Sequence, residues 1–359
     1  MSRRPRASGY FRTSYAQDLR LIETRTERGT LIAFLVVLAA FPFLASAFLL
    51  DLANQVFLAS IGAIALMLLT GYAGQVSLGH AGLLAAGAFT VGILAREVQA
   101  PFWVTLPAAG LVGALLGVLF GLPSLRLRGL YLAVSTLALY FLVVYLGGEY
   151  ETRRGFSTGI LVDPPTVAGK AIAGGLVWYF ILLAGAAASL LLALNLLRSR
   201  TGRAWAAIRS GETVAEALGI GVAAHKLLAF VASSILTAMA GALFAYYRGF
   251  VSVEAFSLFL SIQYVAMIII GGMGSLLGAI LGAIFVTLFP YLIEAALRAL
   301  PGAQRYAGML FAVNYAAFGA VMILFLVFEP LGLVGIWRRM QTYFLLWPFR
   351  HRQIAGRRQ

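Results

Sequence analysis

The sequence predicts an all-α, polytopic membrane protein with about 8–10 transmembrane helices, and three observations carry that prediction. Of 359 residues, 61% are hydrophobic and only 11% charged, whereas a soluble domain is roughly half apolar and a quarter charged. The apolar residues fall in runs near the ~20 needed to cross a bilayer as a helix. The basic residues gather beside those runs, as the preference for Lys and Arg in cytoplasmic loops requires. The net charge of +14 is therefore read as membrane topology, with lipid as a partner and no nucleic acid. Cysteine is absent, which excludes disulfides, thiolate metal sites and a Cys nucleophile. His80, His225 and His351 lie far apart and show no ligand spacing, so no metal site is expected.

Taken in order, residues 1–29 hold seven arginines against Asp18, Glu23 and Glu27 and form a basic cytoplasmic tail. The long apolar run behind them lacks a small-residue cleavage site, so the tail is not read as a cleavable signal. The membrane domain is 30–335, with no separate soluble domain, and a second basic cytoplasmic tail follows at 336–359. Ten spans fit: 31–50, 53–69, 83–95, 101–122, 130–146, 172–197, 227–247, 256–272, 276–297 and 307–328. Gly113, Gly117 and Gly121, and again Gly274, Gly278 and Gly282, recur four apart, a spacing that lets helices approach closely in lipid. Asp163-Pro164-Pro165 bars regular helix in the longest loop between spans. With the N-terminus inside, 20 of the 27 Lys and Arg fall on the cytoplasmic side. Arg153 and Arg154 are the main exceptions.

One stretch stands out from the spans. Gly71-Tyr-Ala-Gly-Gln-Val-Ser-Leu-Gly-His-Ala-Gly82 interrupts an apolar run with four glycines and with Gln75, Ser77 and His80. Within a bilayer, broken backbone is tolerated only where protein or trapped water surrounds it, and transporters place their pathways at such breaks. Gly71, Gly74, Gln75, Ser77, Gly79 and His80 are therefore the candidate lining of a translocation path. A short turn between two spans is the alternative. A second glycine-rich break, Gly271-Gly-Met-Gly-Ser275, enters a small-residue helix in the other half, a faint internal repeat.

The polar interval 198–226 carries apolar residues at helical spacing, Ala204, Ala207 and Ile208, then Val214, Ala217 and Leu218. Two short amphipathic helices, broken near Gly211 and ended at Gly219, fit this pattern. A surface helix of this kind suits docking into a partner's groove.

These motifs, in order, carry a family resemblance. Gly71–His80, Leu125-Arg-Leu-Arg-Gly129, Gly202-Arg-Ala-Trp-Ala-Ala-Ile-Arg209, Ala215-Glu-Ala-Leu-Gly-Ile220 and Lys226-Leu-Leu-Ala-Phe230 are followed by Ala240-Gly-Ala-Leu243, Gly271–Ser275 and Glu329-Pro-Leu-Gly-Leu333. Over roughly 30–335 the chain resembles the LivM-type permease subunits of ATP-binding-cassette importers for branched-chain amino acids. The resemblance implies a homologous second permease subunit, two cytoplasmic ATPases that bind the ATP and Mg, and an extracytoplasmic solute-binding protein. It implies a bacterial inner-membrane location, both termini cytoplasmic, and no enzymatic chemistry or cofactor in this chain. It further implies that 202–220 is the coupling segment, with Gly202, Arg203, Glu212, Glu216, Ala217 and Gly219 as candidate ATPase-coupling residues. Ser210 departs from the usual Asp, and His225 from an aromatic. Urea and amide permeases share the other motifs, so the solute stays open between amino acids and short amides.

Other motifs fail on context. Gly169-Lys170 has Pro164 in place of the first glycine of a phosphate-binding loop and Ala171 in place of Ser or Thr. No strand precedes Gly219-Ile-Gly221, as a dinucleotide fingerprint needs. Ser77 and His80 lack a third orienting group for nucleophilic chemistry. The spans contain almost no mid-helix charge, which favours a pathway powered from outside the chain over an ion-coupled secondary carrier.

Overall fold

The computed structural model describes residues 25–125, 129–156, 159–167, 170–172, 174–298 and 310–346. The tail before residue 25, most of the 125–129 turn and everything after 346 lie outside the described residues. Each of the ten predicted spans has a helix. These are α1 (Arg25–Leu44), α2 (Ala47–Leu66), α3 (His80–Glu97), α4 (Phe102–Ser124) and α5 (Leu130–Arg154), then α6 (Gly175–Arg198), α9 (Val222–Arg248), α10 (Leu258–Gly271), α11 (Leu276–Arg298) and α12 (Leu310–Phe328). Between α6 and α9 lie α7 (Arg200–Ser210) and α8 (Glu212–Ala217), and α13 (Gly332–Leu346) follows α12. Among the described residues, seven helices are long and apolar enough to cross a membrane, or eight if α12 and α13, bent by 51°, form one broken span. The chain is a multi-pass, all-α membrane protein.

The first and third predicted spans fall outside this set. The run 31–50 is not one helix: α1 stops at Leu44, and Ser46 caps α2 by accepting from the Leu49 N–H. Helix α3 is small-residue-rich, and twelve of its 18 residues are buried within the protein.

Helix α9 is the centre of the bundle, packed on α2, α3 and α4. Glycine spacing decides how closely. A Cβ at Gly113 would stand 2.6 Å from both the Ala238 Cβ and the Ser234 carbonyl, and one at Gly121 2.7 Å from Leu227. The Gly113/Gly117/Gly121 row of α4 is thus its seam with α9. The opposite face of α4 exposes Leu111, Leu115, Leu119 and Leu122. Small residues face the neighbouring helix and large ones face outward, as expected where helix packing rests on close van der Waals contact. Gly278 and Gly282 make the corresponding seam of α11 against the backbone of α10.

At the end opposite α7 and α8, the long loop is tied down by two-residue strands. β1 (Ile160–Leu161) pairs antiparallel with β4 (Phe250–Val251), and β2 (Thr166–Val167) with β3 (Lys170–Ala171). Arg153 and Arg154, the two exceptions to the charge bias, pair there with Glu149 at 2.7 Å and Glu97 at 2.9 Å. Local acids thus offset their charge.

Candidate functional site

The glycine break is closed around itself. Helix α2 widens into a π-helical turn, Met67–Tyr72, and the chain then runs irregularly until α3 starts at His80. Its polar groups are satisfied by neighbouring helices. Gln75 is buried and its Nε2 donates to the Lys226 carbonyl at 3.0 Å, while Thr70 Oγ1 donates to the Gln75 carbonyl at 2.9 Å. The Leu78 N–H reaches Thr136 Oγ1 and the Ala81 N–H reaches Ser261 Oγ, both at 2.9 Å. Ser77 Oγ accepts from the Gly79 N–H. His80 is buried against Tyr264, ring centroids 4.6 Å apart, and its Nε2 has no partner. A Cβ on Gly79 would run into the Thr136 carbonyl, and Gly74 needs its left-handed backbone, φ +73°. The six sequence-predicted path residues thus sit together, five of them buried in protein and Gly74 exposed. None lines either of the two cavities described below.

The two glycine breaks meet. The Gly274 N–H lies 3.3 Å from Met67 Sδ, and a Cβ on Gly71 would stand 3.2 Å from the Gly274 nitrogen. The faint repeat seen in sequence is a spatial pair. The Glu329–Leu333 motif closes on the same spot, since a Cβ at Gly272 would be 2.5 Å from the Leu331 carbonyl.

Into this junction reaches Arg209, the penultimate residue of α7. Its Nη1 donates to the Gly71 carbonyl and would lie 2.8 Å from a Cβ on Gly274. A second tie runs through Lys226, whose Nζ pairs with Glu212 of α8 at 2.5 Å while its carbonyl holds Gln75. Helix α7 is anchored in turn by Trp205, fully buried, whose Nε1 donates to the His225 carbonyl at 2.8 Å.

The predicted coupling residues divide. Gly202 is buried at the tight α6–α7 turn, where a Cβ would strike Leu197, and Glu212 faces inward to Lys226. Arg203 is exposed, with Nη1 on the Arg198 carbonyl at 3.1 Å. Glu216, Ala217 and Gly219 are exposed at the tip beside Val214 and Leu218, 63% and 72% exposed. The helix breaks at Gly211 and ends at Gly219, φ +78°, where the Ile220 N–H reaches the Ala215 carbonyl at 3.0 Å. Arg209, Lys226 and Gly274 were not singled out from sequence as site residues. Their signal was there: one charge at the end of an otherwise apolar-faced helix, and one glycine in each break.

The opposite half holds two cavities that share Arg248. One, of about 290 Å³, lies between α2, α9, α10 and α11. The other, of about 540 Å³, is bordered by Asp51, Trp178 and Tyr247.

Residues 48–327 match the family described as branched-chain amino acid transport system / permease component. The chain belongs to this family. The permease is 32% identical over 332 residues to the high-affinity branched-chain amino acid transport system permease protein LivM of Salmonella typhimurium, covering 86% of this chain and 75% of that one. LivM of Escherichia coli matches to the same extent. The autoinducer 2 import system permease protein LsrC of Enterobacter sp. is 30% identical over 171 residues, 46% of this chain and 47% of its own. No solved structure matches.

Proposed function

We propose that this chain is one permease subunit of an ATP-driven importer in a bacterial inner membrane, moving a small apolar amino acid. In this reading the α7–α8 end is cytoplasmic, with both termini, and the exposed tip Val214–Gly219 seats on an ATPase. ATP and Mg are bound by two such partners. A homologous permease and an extracytoplasmic binding protein complete the assembly. The family resemblance to LivM supports the solute class.

The observation that carries the mechanism is the Arg209 joint. A helix that docks outside the bundle sends its charged side chain to a carbonyl at the meeting of two broken helices. Charge-assisted hydrogen bonds are stronger than neutral ones, and this one is part-buried although Arg209 itself is exposed, so displacement of α7 transmits to α2 and α10 together. The path then runs along the faces of α2, α10 and α11. The break at Gly71, Gly74, Gln75, Ser77, Gly79 and His80 serves as its cytoplasmic gate, tight in this conformation and opened when the joint moves. Passage needs no covalent step and no cofactor in this chain.

Reconstitution with the partners tests this. Leucine uptake should require ATP and persist when an uncoupler collapses the proton gradient, because the described residues of the spans form no relay of buried acids and bases. Uptake by the permease alone, abolished by the uncoupler, would instead identify an ion-coupled carrier.

A further inference from the structure

Arg248 closes α9 at the end far from α7 and makes no hydrogen bond or ion pair among the described residues. Its guanidinium lies 5.8 Å over the Tyr247 ring and 6.0 Å over Phe244, held by cation–π contact rather than by an acid. An arginine at the end of a membrane helix with no anionic partner has its forked donors available to one.

The cavity behind it is mixed in a specific way. Leu58, Ala59, Leu84, Leu260, Met267 and Val286 supply an aliphatic wall. Gln55, Gln263, Thr287 and Tyr291 border the same space. Its volume, about 290 Å³, falls at the small end of ligand sites, which run roughly 300–1,000 Å³. It suits a solute of few heavy atoms.

An acid stands one helical turn from Gln55. Asp51 Oδ2 accepts from Gln55 Nε2 at 2.6 Å, and Oδ1 accepts from the Tyr247 hydroxyl. Gln55 also contacts Tyr291, its Nε2 3.3 Å from the hydroxyl. Tyr247 therefore carries the negative group on its hydroxyl and the positive group on its ring. A carboxylate oxygen can accept more than one hydrogen bond, so Asp51 keeps acceptor capacity toward the outer cavity that it borders with Arg248.

We infer that this cluster is a binding site for a zwitterionic amino acid with an aliphatic side chain. The solute carboxylate lies on Arg248, its ammonium faces Asp51 across the outer cavity that both residues border, and its side chain enters the inner, largely apolar cavity that Arg248 also borders. The inference rests on the transport reading above and sharpens it. A neutral amide or urea would use Gln55 and Gln263 and have no need of Arg248 or Asp51.

The test uses the whole importer in nanodiscs, without solute-binding protein, and equilibrium dialysis of radiolabelled L-leucine. Saturable leucine binding is expected, displaced by leucine itself. L-leucinamide, which lacks the carboxylate, and 4-methylpentanoate, which lacks the amine, should compete about tenfold or more weakly, the loss of one charged hydrogen-bonded contact. Arg248→Gln should weaken leucine by a similar factor and Arg248→Lys by less, with each variant checked for co-purification of its ATPases. The competition series on the wild-type protein holds even where a variant fails to assemble. Absence of saturable binding, equal competition by leucinamide or acetamide, or wild-type affinity in Arg248→Gln would each overturn the site. If ATP-driven leucine uptake survives such a result, the importer reading stands and the site alone falls. If the importer carries a different solute and does not bind leucine, both the amino-acid reading and the site fall.

Discussion

The two ends of the bundle treat polar groups in opposite ways. At the α7–α8 end Gln75, Thr70, Ser77 and Lys226 are buried or half-buried and hydrogen-bonded to protein. At the far end Gln55, Gln263, Tyr291 and Arg248 border open volume, even though Gln55 and Tyr291 also bond to protein. Glycine makes the difference. Where a residue has no side chain, backbones close to contact and leave no hole, and the polar groups turn to one another. Where large side chains of four helices meet unevenly, space remains. A glycine-rich polar break is thus a joint, and the chemistry of a solute is read where side chains are bulky.

Bulk should separate the two ends most sharply. Gly79→Leu drives its Cβ into the Thr136 carbonyl, an overpacking expected to cost ~1–3 kcal/mol and to abolish uptake. Ala59→Val, on the cavity wall, should fold with less than half that loss and change solute preference instead. Thermal unfolding in detergent and uptake assays measure both. If Ala59→Val destabilises as much as Gly79→Leu, the cavity is not open space and the comparison fails.

The next effect is at the exposed tip. A Cβ at Gly219 meets nothing within 4 Å in this chain, but φ is +78°, so any side chain pays roughly 1–2 kcal/mol of backbone strain. Gly219→Ala carries that strain without bulk. Gly219→Trp should therefore lose the ATPases in a pull-down while Gly219→Ala retains most of them. Equal retention by both would move the docking contact elsewhere.

The smallest effect is expected at the surface pairs. Arg153 and Glu149 have side chains 77% and 39% exposed, Arg154 and Glu97 53% and 34%. Exposed pairs contribute ~0–1 kcal/mol, so Arg153→Ala and Arg154→Ala should barely move the unfolding temperature. A shift as large as that of Gly79→Leu would show that the loop, not the glycine joint, limits stability.

Much of this architecture is legible in the amino-acid pattern. Apolar runs located the helices of the ten predicted spans, the four-residue glycine spacing marked the packed face of α4, and Gly211 and Gly219 bounded α8; α13, which runs into the predicted C-terminal tail, was not foreseen. The break between α1 and α2 was not legible, because Leu44–Leu50 is as apolar as what flanks it and Ser46 alone signals the cap. The surroundings of the 71–80 break were not legible either, since its hydrogen-bond partners, Thr136, Lys226 and Ser261, lie 58, 151 and 180 residues away in sequence. Nor was the Asp51–Tyr247–Arg248 cluster. Its members are ordinary helix-end residues until α2 and α9 are set side by side.

The central claim is that Arg209 links the docking helices to the paired breaks. The measurement is the number of ATP hydrolysed per leucine carried by the reconstituted importer, for wild type and Arg209→Met, with ATPase co-purification as the assembly check. The account predicts that Arg209→Met retains its ATPases and that ATP consumed per leucine rises about tenfold or more, as loss of a charged hydrogen bond implies. An unchanged ratio in a fully assembled Arg209→Met importer would contradict it.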